Sequence, residues 1–262
     1  MNTVLPSVWL ISRPTLEIGN SDVLRDNQQW WGLPEHPVSQ HVLSEDNTDG
    51  GSMLAEIAGR IDYLSFSRER RRPGGARNYF HHILEYGHEN IIEIPHYVFV
   101  VRCSQGIARE VLRYRTMERS QTSTRYVDYS AMPLVWYPGA PEPDPDWDAL
   151  WRQQYVSCYE DKYGYAMINL KLSPRDARKY ARSVAQMYLP FSVVTWLVLA
   201  MNVRSYRNML LQRMTPEAHP EFYYLASYWW EIAKEEFPLL IQDIEECVAV
   251  NGMVYLSKKK GS

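Results

Sequence analysis

The chain has 262 residues, enough for one large domain or two small ones, and 45% of them are hydrophobic, which suffices for a core. The net charge of −3 argues against a protein whose main role is to coat nucleic acid. The first residues lack the basic start of a signal peptide, and the most apolar run, Val193 to Met201, is about half of the ~20 residues that cross a bilayer. We therefore predict a soluble, cytoplasmic protein with no membrane and no nucleic-acid partner.

In chain order, hydrophobic periodicity and helix breakers predict the first elements. These are a strand at 8–12, a loop at 33–51, helices at 52–66 and 76–86, a strand at 95–103, a helix at 105–117 and a polar loop at 118–130. The basic turn Arg68 to Arg72 is interpreted either as a solvated loop or as a contact for a phosphate of a cofactor or substrate.

The second half of the chain is predicted to be mainly helical. It comprises a proline-rich connector at 136–147, helices at 147–170 and 174–188, a strand-like run at 193–201, helices at 203–214 and 216–236, and a disordered tail from 257. Helices dominate and the strands cluster mid-chain, so the predicted class is α+β with a central antiparallel sheet. The three cysteines, Cys103, Cys158 and Cys247, are odd in number and widely spaced, so neither a disulfide framework nor a metal site is predicted.

Two short segments carry groups suited to binding an anion. Arg109 and Arg113 lie one turn apart on the predicted helix, where like charges repel unless an anion lies alongside. A solvated cationic helix with nearby carboxylate partners is the alternative. Downstream, Ser123 and Arg125 lie in a Ser/Thr-rich loop whose hydroxyls and backbone N–H groups could form an anion-binding cradle.

Taken together, the two segments read R-Y-R from Arg113 to Arg115, seven residues, Ser123, and then T-R-Y. This pattern closely resembles the signature R-H-R-x7-S, followed by x-R-Y, of the flavin-dependent thymidylate synthases (the ThyX family). The resemblance covers about residues 50–240 and includes a downstream N-x-R-x3-N-x4-R helix. It implies a ThyX-like fold with an N-terminal extension at 1–50, a catalytic domain at 51–240, and a C-terminal helix end and tail at 241–262.

The resemblance also assigns the cofactor-binding residues. No G-x-G-x-x-G follows a predicted strand, so FAD would not be bound in the Rossmann manner. The family instead builds its flavin site between subunits, which implies a homotetramer. The residues implied to bind FAD are His88, Asn90, Arg113, Tyr114, Arg115, Gln121, Asn202, Arg204 and Asn208.

A uridine nucleotide is the implied substrate. The residues implied to bind it are Glu110, Arg113, Gln121, Thr122, Ser123, Thr124, Arg125, Gln186 and Arg213. Arg213 matches the arginine that polarises the uracil ring, and it is the one implied catalytic residue. The implied reaction is methylation of C5, with carbon from 5,10-methylenetetrahydrofolate and hydride from FAD reduced by NADPH.

Departures from the family pattern leave the substrate open. Tyr114 replaces the motif histidine and cannot become charged near neutral pH. Gln186 stands where a phosphate-binding arginine is usual, although Arg182 lies one turn earlier on the same face. The nucleotide could thus be dUMP or UMP, the latter as in nucleoside-antibiotic biosynthesis. A non-catalytic homologue that binds nucleotide or nucleic acid is the other alternative.

Overall fold

A computed structural model describes residues 2–16, 46–63, 65 and 74–259. The predicted basic turn and most of the predicted loop at 33–51 lie outside the described residues. The helices are α1 (Gly50–Tyr63), α2 (Gly75–Glu85), α3 (Gln105–Val111), α4 (Pro145–Ile168), α5 (Pro174–Ala185), α6 (Val203–Arg213) and α7 (Pro220–Glu236), with short 3-10 turns at Glu89–Glu93, Gln186–Tyr188 and Pro238–Ile241. The strands are β1 (Thr3–Val4), β2 (Ser7–Ser12), β3 (His96–Ser104), β4 (Met117–Gln121), β5 (Leu134–Val135), β6 (Val194–Asn202), β7 (Ile244–Val248) and β8 (Val254–Lys258).

Side-chain caps explain where several helices begin. The Oγ atom of Ser104 accepts a hydrogen bond from the backbone N–H of Ile107 at 3.1 Å, which confirms the predicted cap of α3. At α5, Ser173 accepts from the backbone N–H of Asp176, and Pro174 occupies the first turn, where its missing N–H costs nothing. Local sequence therefore determines these two starts.

Three sheets are present among the described residues. The largest is antiparallel, with strand order β2-β3-β6-β4. A short parallel pair joins β1 to β5, with Thr3 opposite Leu134, and an antiparallel hairpin joins β7 to β8. Helices together with an antiparallel sheet agree with the predicted α+β class. The ThyX-like fold stays a prediction.

The chain divides into two compact units. Unit 1 comprises residues 1–9, 100–115 and 119–199, and unit 2 comprises residues 10–99, 116–118 and 200–262. In unit 1, Tyr129, Trp151 and Tyr155 are buried in one apolar cluster with Leu134 and Val193. Because Tyr129 belongs to this cluster and Val127 packs against it, the end of the predicted loop at 118–130 is attached to this core.

Unit 2 has an aromatic core. The ring of Tyr206 packs against Phe99 at 5.5 Å between centroids and edge-on against Phe237 at 5.2 Å. Its hydroxyl donates to the carbonyl of Trp229 at 2.6 Å, so the buried polar group is satisfied. Because Tyr206 lies on α6, this core holds in place the helix that carries the downstream motif.

The predicted helix at 105–117 is too long. Helix α3 ends at Val111, and its last turn tightens, since Arg113 N–H bonds to Glu110 C=O and Tyr114 N–H to Val111 C=O, both at 3.1 Å. Residues 117–121, for which the sequence predicts the end of a helix and a loop, form β4 beside β6. Pairing with a distant strand overrides local helix preference here. Arg109 and Arg113 consequently do not share a helical face.

The C-terminal region also differs from the prediction. Beyond the 3-10 turn at 238–241 the chain forms the β7–β8 hairpin instead of a helix end, with Ile244 opposite Lys258. Strand β8 includes Ser257 and Lys258, which we expected in a disordered tail. The cross-strand ladder satisfies backbone groups that local sequence patterns did not reveal. The domain boundaries at 51 and 240 stay predictions.

Candidate active site

Gln121 and Thr122 lie at the end of β4 in unit 1. The amide of Gln121 donates to Gln105 Oε1 at 3.1 Å and to Thr195 Oγ1 at 3.4 Å. Thr122 N–H donates to the carbonyl of Trp196 at 3.0 Å. These bonds anchor the start of the predicted substrate loop to α3 and to β6.

The loop then turns at Ser123. Its Oγ accepts from the N–H of Arg125 at 3.3 Å, and its carbonyl accepts from the N–H groups of Tyr126 and Val127. Such a turn leaves Arg125 and Tyr126 exposed to solvent. The loop therefore presents a guanidinium and a phenol at the surface of unit 1.

Helix α5 and the turn after it are brought against this loop. Thr124 Oγ1 donates to Gln186 Oε1 at 2.5 Å, and Arg125 Nε donates to Ser183 Oγ at 2.9 Å. Arg182 reaches the same loop, where it donates to the carbonyl of Tyr126 at 2.8 Å. The structure thus brings Gln186 into contact with Thr124, a predicted substrate residue 62 positions earlier in the chain, while Arg125 bonds Ser183.

The arginine motif itself follows α3. Arg113 and Arg115 are exposed, whereas Glu110 and Tyr114 are half-buried. The carbonyl of Tyr114 accepts a hydrogen bond from Arg119 at 3.0 Å. The two motif guanidiniums lie on irregular backbone, which is where binding residues are often found.

A cavity of about 440 Å³ in unit 2 contains the downstream motif. Asn202, Arg204 and Asn208 all line it, as expected if Arg204 and Asn208 share a face of α6. Lys258 of the C-terminal hairpin lines it as well. Of the predicted cofactor residues in unit 2, His88 and Asn90 are not among the lining residues.

Two carboxylates hold Arg204. Its Nε lies 3.2 Å from Glu89 Oε2, and a terminal nitrogen lies 2.5 Å from Glu93 Oε1. The hydrogen bond to Glu93, followed by the charges of both carboxylates, raises the pKa of Arg204. Lys258 Nζ is 3.5 Å from Glu89 Oε1. The cavity is thus lined by a mixed network of charges with fixed N–H donors.

Arg207 also lines the cavity, but it has a structural role. Its guanidinium forms a two-pronged pair with Asp243, both bonds 2.7 Å long, and it also bonds the carbonyl of Leu240. The Arg207 and Asp243 side chains are only 3% and 5% exposed. This pair ties α6 to the start of β7.

The two motif asparagines already have bonds within α6. Asn202 Oδ1 accepts from the N–H of Ser205 at 2.8 Å and caps the helix, which leaves its NH₂ group as the donor for a ligand. Asn208 Oδ1 accepts from Gln212 at 3.1 Å. Asn202 therefore caps the start of α6, and Asn208 bonds a side chain one turn later on the same helix.

Three other predicted site residues of unit 2 are not among the residues that line this cavity. The guanidinium carbon of Arg213, at the end of α6, lies 4.8 Å from the centre of the Phe222 ring, a cation–π contact. Asn90 donates to Asp62 at 3.0 Å, and His88 is an exposed residue preceding the 3-10 turn. Among the described residues, every helix is too short or too polar to span a bilayer.

A family model described as "Thymidylate synthase complementing protein" (Thy1) matches residues 45–239. The chain belongs to this family. The match spans all the predicted site residues of both units. It confirms the resemblance that the arginine motif and the α6 motif indicated.

Individual proteins similar to this chain are named flavin-dependent thymidylate synthases. The chain is 30% identical over 205 residues to the flavin-dependent thymidylate synthase of Mycobacterium sp. (strain JLS), and the match covers 73% of this chain and 79% of the relative. It is 29% identical over 211 residues to that of Corynebacterium diphtheriae, covering 77% and 82%. It is 28% identical over 215 residues to that of Mycolicibacterium vanbaalenii, covering 79% and 84%.

Sequence reasoning missed several residues of these sites. Glu89 and Glu93 stand four positions apart in the turn that carries Asn90, and that spacing could have suggested a joint contact. Lys258 was assigned to the tail. Within the described residues, no group of three or more His, Cys, Asp or Glu side chains is arranged to hold a metal ion.

Proposed function

We propose that this protein is a flavin-dependent methylase that transfers one carbon to C5 of a uridine nucleotide, dUMP or UMP. The carbon donor is 5,10-methylenetetrahydrofolate, and NADPH reduces the FAD. Membership of the Thy1 family, whose relatives described above are named flavin-dependent thymidylate synthases, supports the reaction class. The observation that carries the proposal is that Asn202, Arg204 and Asn208 line one cavity.

That cavity suits part of a flavin. Its volume of about 440 Å³ lies in the range typical of ligand pockets, roughly 300–1,000 Å³. Arg204 and the asparagine amides offer N–H donors to the carbonyl edge of a flat ring, while Lys258 offers a cation to a phosphate. When bound, FAD supplies the hydride, and the side chains that line the cavity bind and orient the FAD.

The nucleotide is assigned to the loop of unit 1. Gln121, Thr122, Ser123, Thr124 and Arg125 provide amide, hydroxyl and guanidinium groups on a loop whose start is anchored to α3 and β6. Gln186 contributes through Thr124. Glu110 and Arg113 are proposed as further nucleotide contacts, and Arg113, Tyr114 and Arg115 as flavin contacts.

Arg213 is the residue we assign to the chemical step. Its fixed charge near the uracil ring would stabilise the negative charge that develops as C5 becomes nucleophilic. Stacking on Phe222 restricts its guanidinium without neutralising it. His88 and Asn90 are proposed as further flavin contacts, and a homotetramer in the cytoplasm is proposed as the working form.

The test is to purify the full chain, record its flavin absorbance, and follow NADPH oxidation with methylenetetrahydrofolate and either UMP or dUMP. We expect a yellow protein and a 5-methyl nucleotide product identified by mass spectrometry. The nucleotide with the higher kcat/KM is the preferred substrate. A protein that stays colourless after FAD is added would instead favour a non-catalytic nucleotide-binding homologue.

A further inference from the structure

The C-terminal hairpin of β7 and β8 reaches the cavity of about 440 Å³ in unit 2, which we call the cofactor cavity. The match to the Thy1 family ends at residue 239, and the hairpin begins at Ile244. Of the described residues that line the cofactor cavity, Lys258 alone lies beyond that match. The family resemblance thus assigns no role to this lysine.

Contacts with α6 and α7 fix the position of the hairpin. The backbone N–H of Leu256 donates to the carbonyl of Met214, at the end of α6, at 3.0 Å. The hydroxyl of Tyr223, on α7, donates to the carbonyl of Val254 at 2.7 Å. Leu256 is buried, and Lys258 lies on the same face of β8 because residues two apart on a strand share a face. The docking of β8 therefore places Lys258 at the cofactor cavity.

The ion pair of Lys258 is a long one. Its Nζ lies 3.5 Å from Glu89 Oε1, beyond the roughly 2.7–3.2 Å of ordinary N–H···O hydrogen bonds, and its side chain is 54% exposed. The other oxygen of Glu89 lies 3.2 Å from Arg204 Nε, so two cations share this carboxylate. An ammonium group has three N–H donors, and Lys258 uses one of them with a described residue. Lys258 therefore has donors left for a ligand.

The other two cations in the described lining are held more tightly. The closest carboxylate oxygen lies 2.5 Å from Arg204 and 2.7 Å from Arg207. Arg204 has a second carboxylate at 3.2 Å, and the pair of Arg207 is buried, where loss of a partner is strongly destabilising. Among these three cations, Lys258 can consequently exchange its partner most readily.

A phosphate group suits such an exchangeable ammonium. Phosphate is a compact anion with several acceptor oxygens, and a lysine binds it as a point charge. FAD carries two phosphates, whereas riboflavin has the same ring system and none. A cofactor cavity with Lys258 in its lining should thus distinguish these two flavins.

We propose that Lys258 exchanges Glu89 for a phosphate of the flavin, gives the cofactor cavity a preference for FAD over riboflavin, and makes the C-terminal hairpin part of the cofactor site. This inference rests on the proposed function, because that function assigns the flavin to this cavity. Binding linkage is reciprocal, so a hairpin that contributes to FAD affinity is in turn held in place by FAD.

Isothermal titration calorimetry of the flavin-free full chain with FAD and with riboflavin tests the inference. We expect Lys258→Gln to weaken FAD binding about tenfold, as the loss of one charge-assisted contact does, and to leave riboflavin binding unchanged. Lys259→Gln is the matched control, because this adjacent lysine donates to the carbonyl of Gln242 at 2.6 Å and is not among the lining residues. The control should bind both flavins as the wild-type chain does.

Hydrogen exchange provides a second measurement. By reciprocal linkage, saturating FAD should slow amide exchange in residues 254–258 about tenfold relative to saturating riboflavin. Lys258→Gln should lose this difference. Its exchange without flavin should match that of the wild-type chain, which shows that the hairpin of the variant still folds.

Three outcomes would overturn the inference. Unchanged FAD affinity in Lys258→Gln removes the lysine from the cofactor site and leaves the proposed function standing. An equal loss of affinity for FAD and riboflavin shows that Lys258 supports the cavity wall and does not bind a phosphate. Failure of the wild-type chain to bind FAD refutes the proposed function together with the inference.

Discussion

Thr124 Oγ1 donates a hydrogen bond to Gln186 Oε1 across 62 positions of sequence, at 2.5 Å. Gln186 also donates to the carbonyl of Ser183 at 2.9 Å, so its amide is held at both ends. A neutral side chain that bonds Thr124 thus stands where the family pattern has an arginine. This neutral contact defines the first prediction.

Gln186→Arg restores a cation beside the substrate loop. We expect the KM for a uridine monophosphate to fall about tenfold, because a hydrogen bond to a charged group contributes ~1.5–3 kcal/mol. Steady-state kinetics with UMP and dUMP measure the change. Gln186→Met, which removes the bond to Thr124 without adding charge, is the control; an equal fall in KM in both variants would contradict the electrostatic explanation.

Arg213→Ala removes the charge that we assign to the uracil ring. We expect kcat to fall by about 10²–10³, the effect of losing one preorganised donor, while flavin absorbance is retained. Phe222→Leu keeps the guanidinium and removes its cation–π partner, so its loss in kcat should be much smaller. Unchanged turnover of Arg213→Ala would remove this residue from the mechanism.

Asn202 serves the helix and, by our proposal, the flavin, and two substitutions separate these roles. Asn202→Asp keeps an oxygen to cap Ser205 N–H but loses the amide donor, so stability should hold while FAD affinity falls. Asn202→Ala should lose both, with about 1 kcal/mol less unfolding free energy. Urea unfolding and FAD titration provide the two readouts, and full FAD affinity in the aspartate variant would argue against flavin contact.

The buried pair of Arg207 and Asp243 is expected to matter for stability. Asp243→Ala leaves a buried guanidinium without its carboxylate, which typically costs ~3–5 kcal/mol. Thermal and urea denaturation should show the loss. Arg207→Met combined with Asp243→Leu should recover much of it, because no lone charge is left buried; a double variant as unstable as Asp243→Ala would contradict this account.

Tyr126 provides a pH-dependent readout of the contact between the substrate loop and α5. A hydrogen bond from Lys179, and then its positive charge, lowers the pKa of the Tyr126 phenol below its usual value near 10. Lys179→Met removes both effects, so the phenol should lose its proton only at higher pH. Carbon NMR of ring-labelled tyrosine measures this, with Tyr126→Phe to assign the signal; an unchanged pKa would show that Lys179 does not reach the phenol in solution.

The sequence alone determined the elements whose signals are local. Ser104 and Pro174 mark helix starts because caps and fixed backbone angles depend on neighbouring residues only. The strands at 96–104 and 194–202 were predicted within one residue at each end, since continuous apolar runs leave few alternatives. The motif spacing around Ser123 pointed to the family because spacing survives at low identity.

Other features depend on residues that are distant in the sequence, and these features become apparent only in the tertiary structure. Helix α3 ends at Val111 because β4 pairs with β6, and the C-terminal residues form a hairpin because each strand satisfies the backbone of the other. Sequence spacing could not show that Glu93 pairs with Arg204, or that Arg125 joins the cations of α5. Charged residues that are distant in the sequence come into contact only when the chain folds. The packing of distant segments therefore determines which charges pair, and this in turn determines the electrostatics around Arg204 and Arg125.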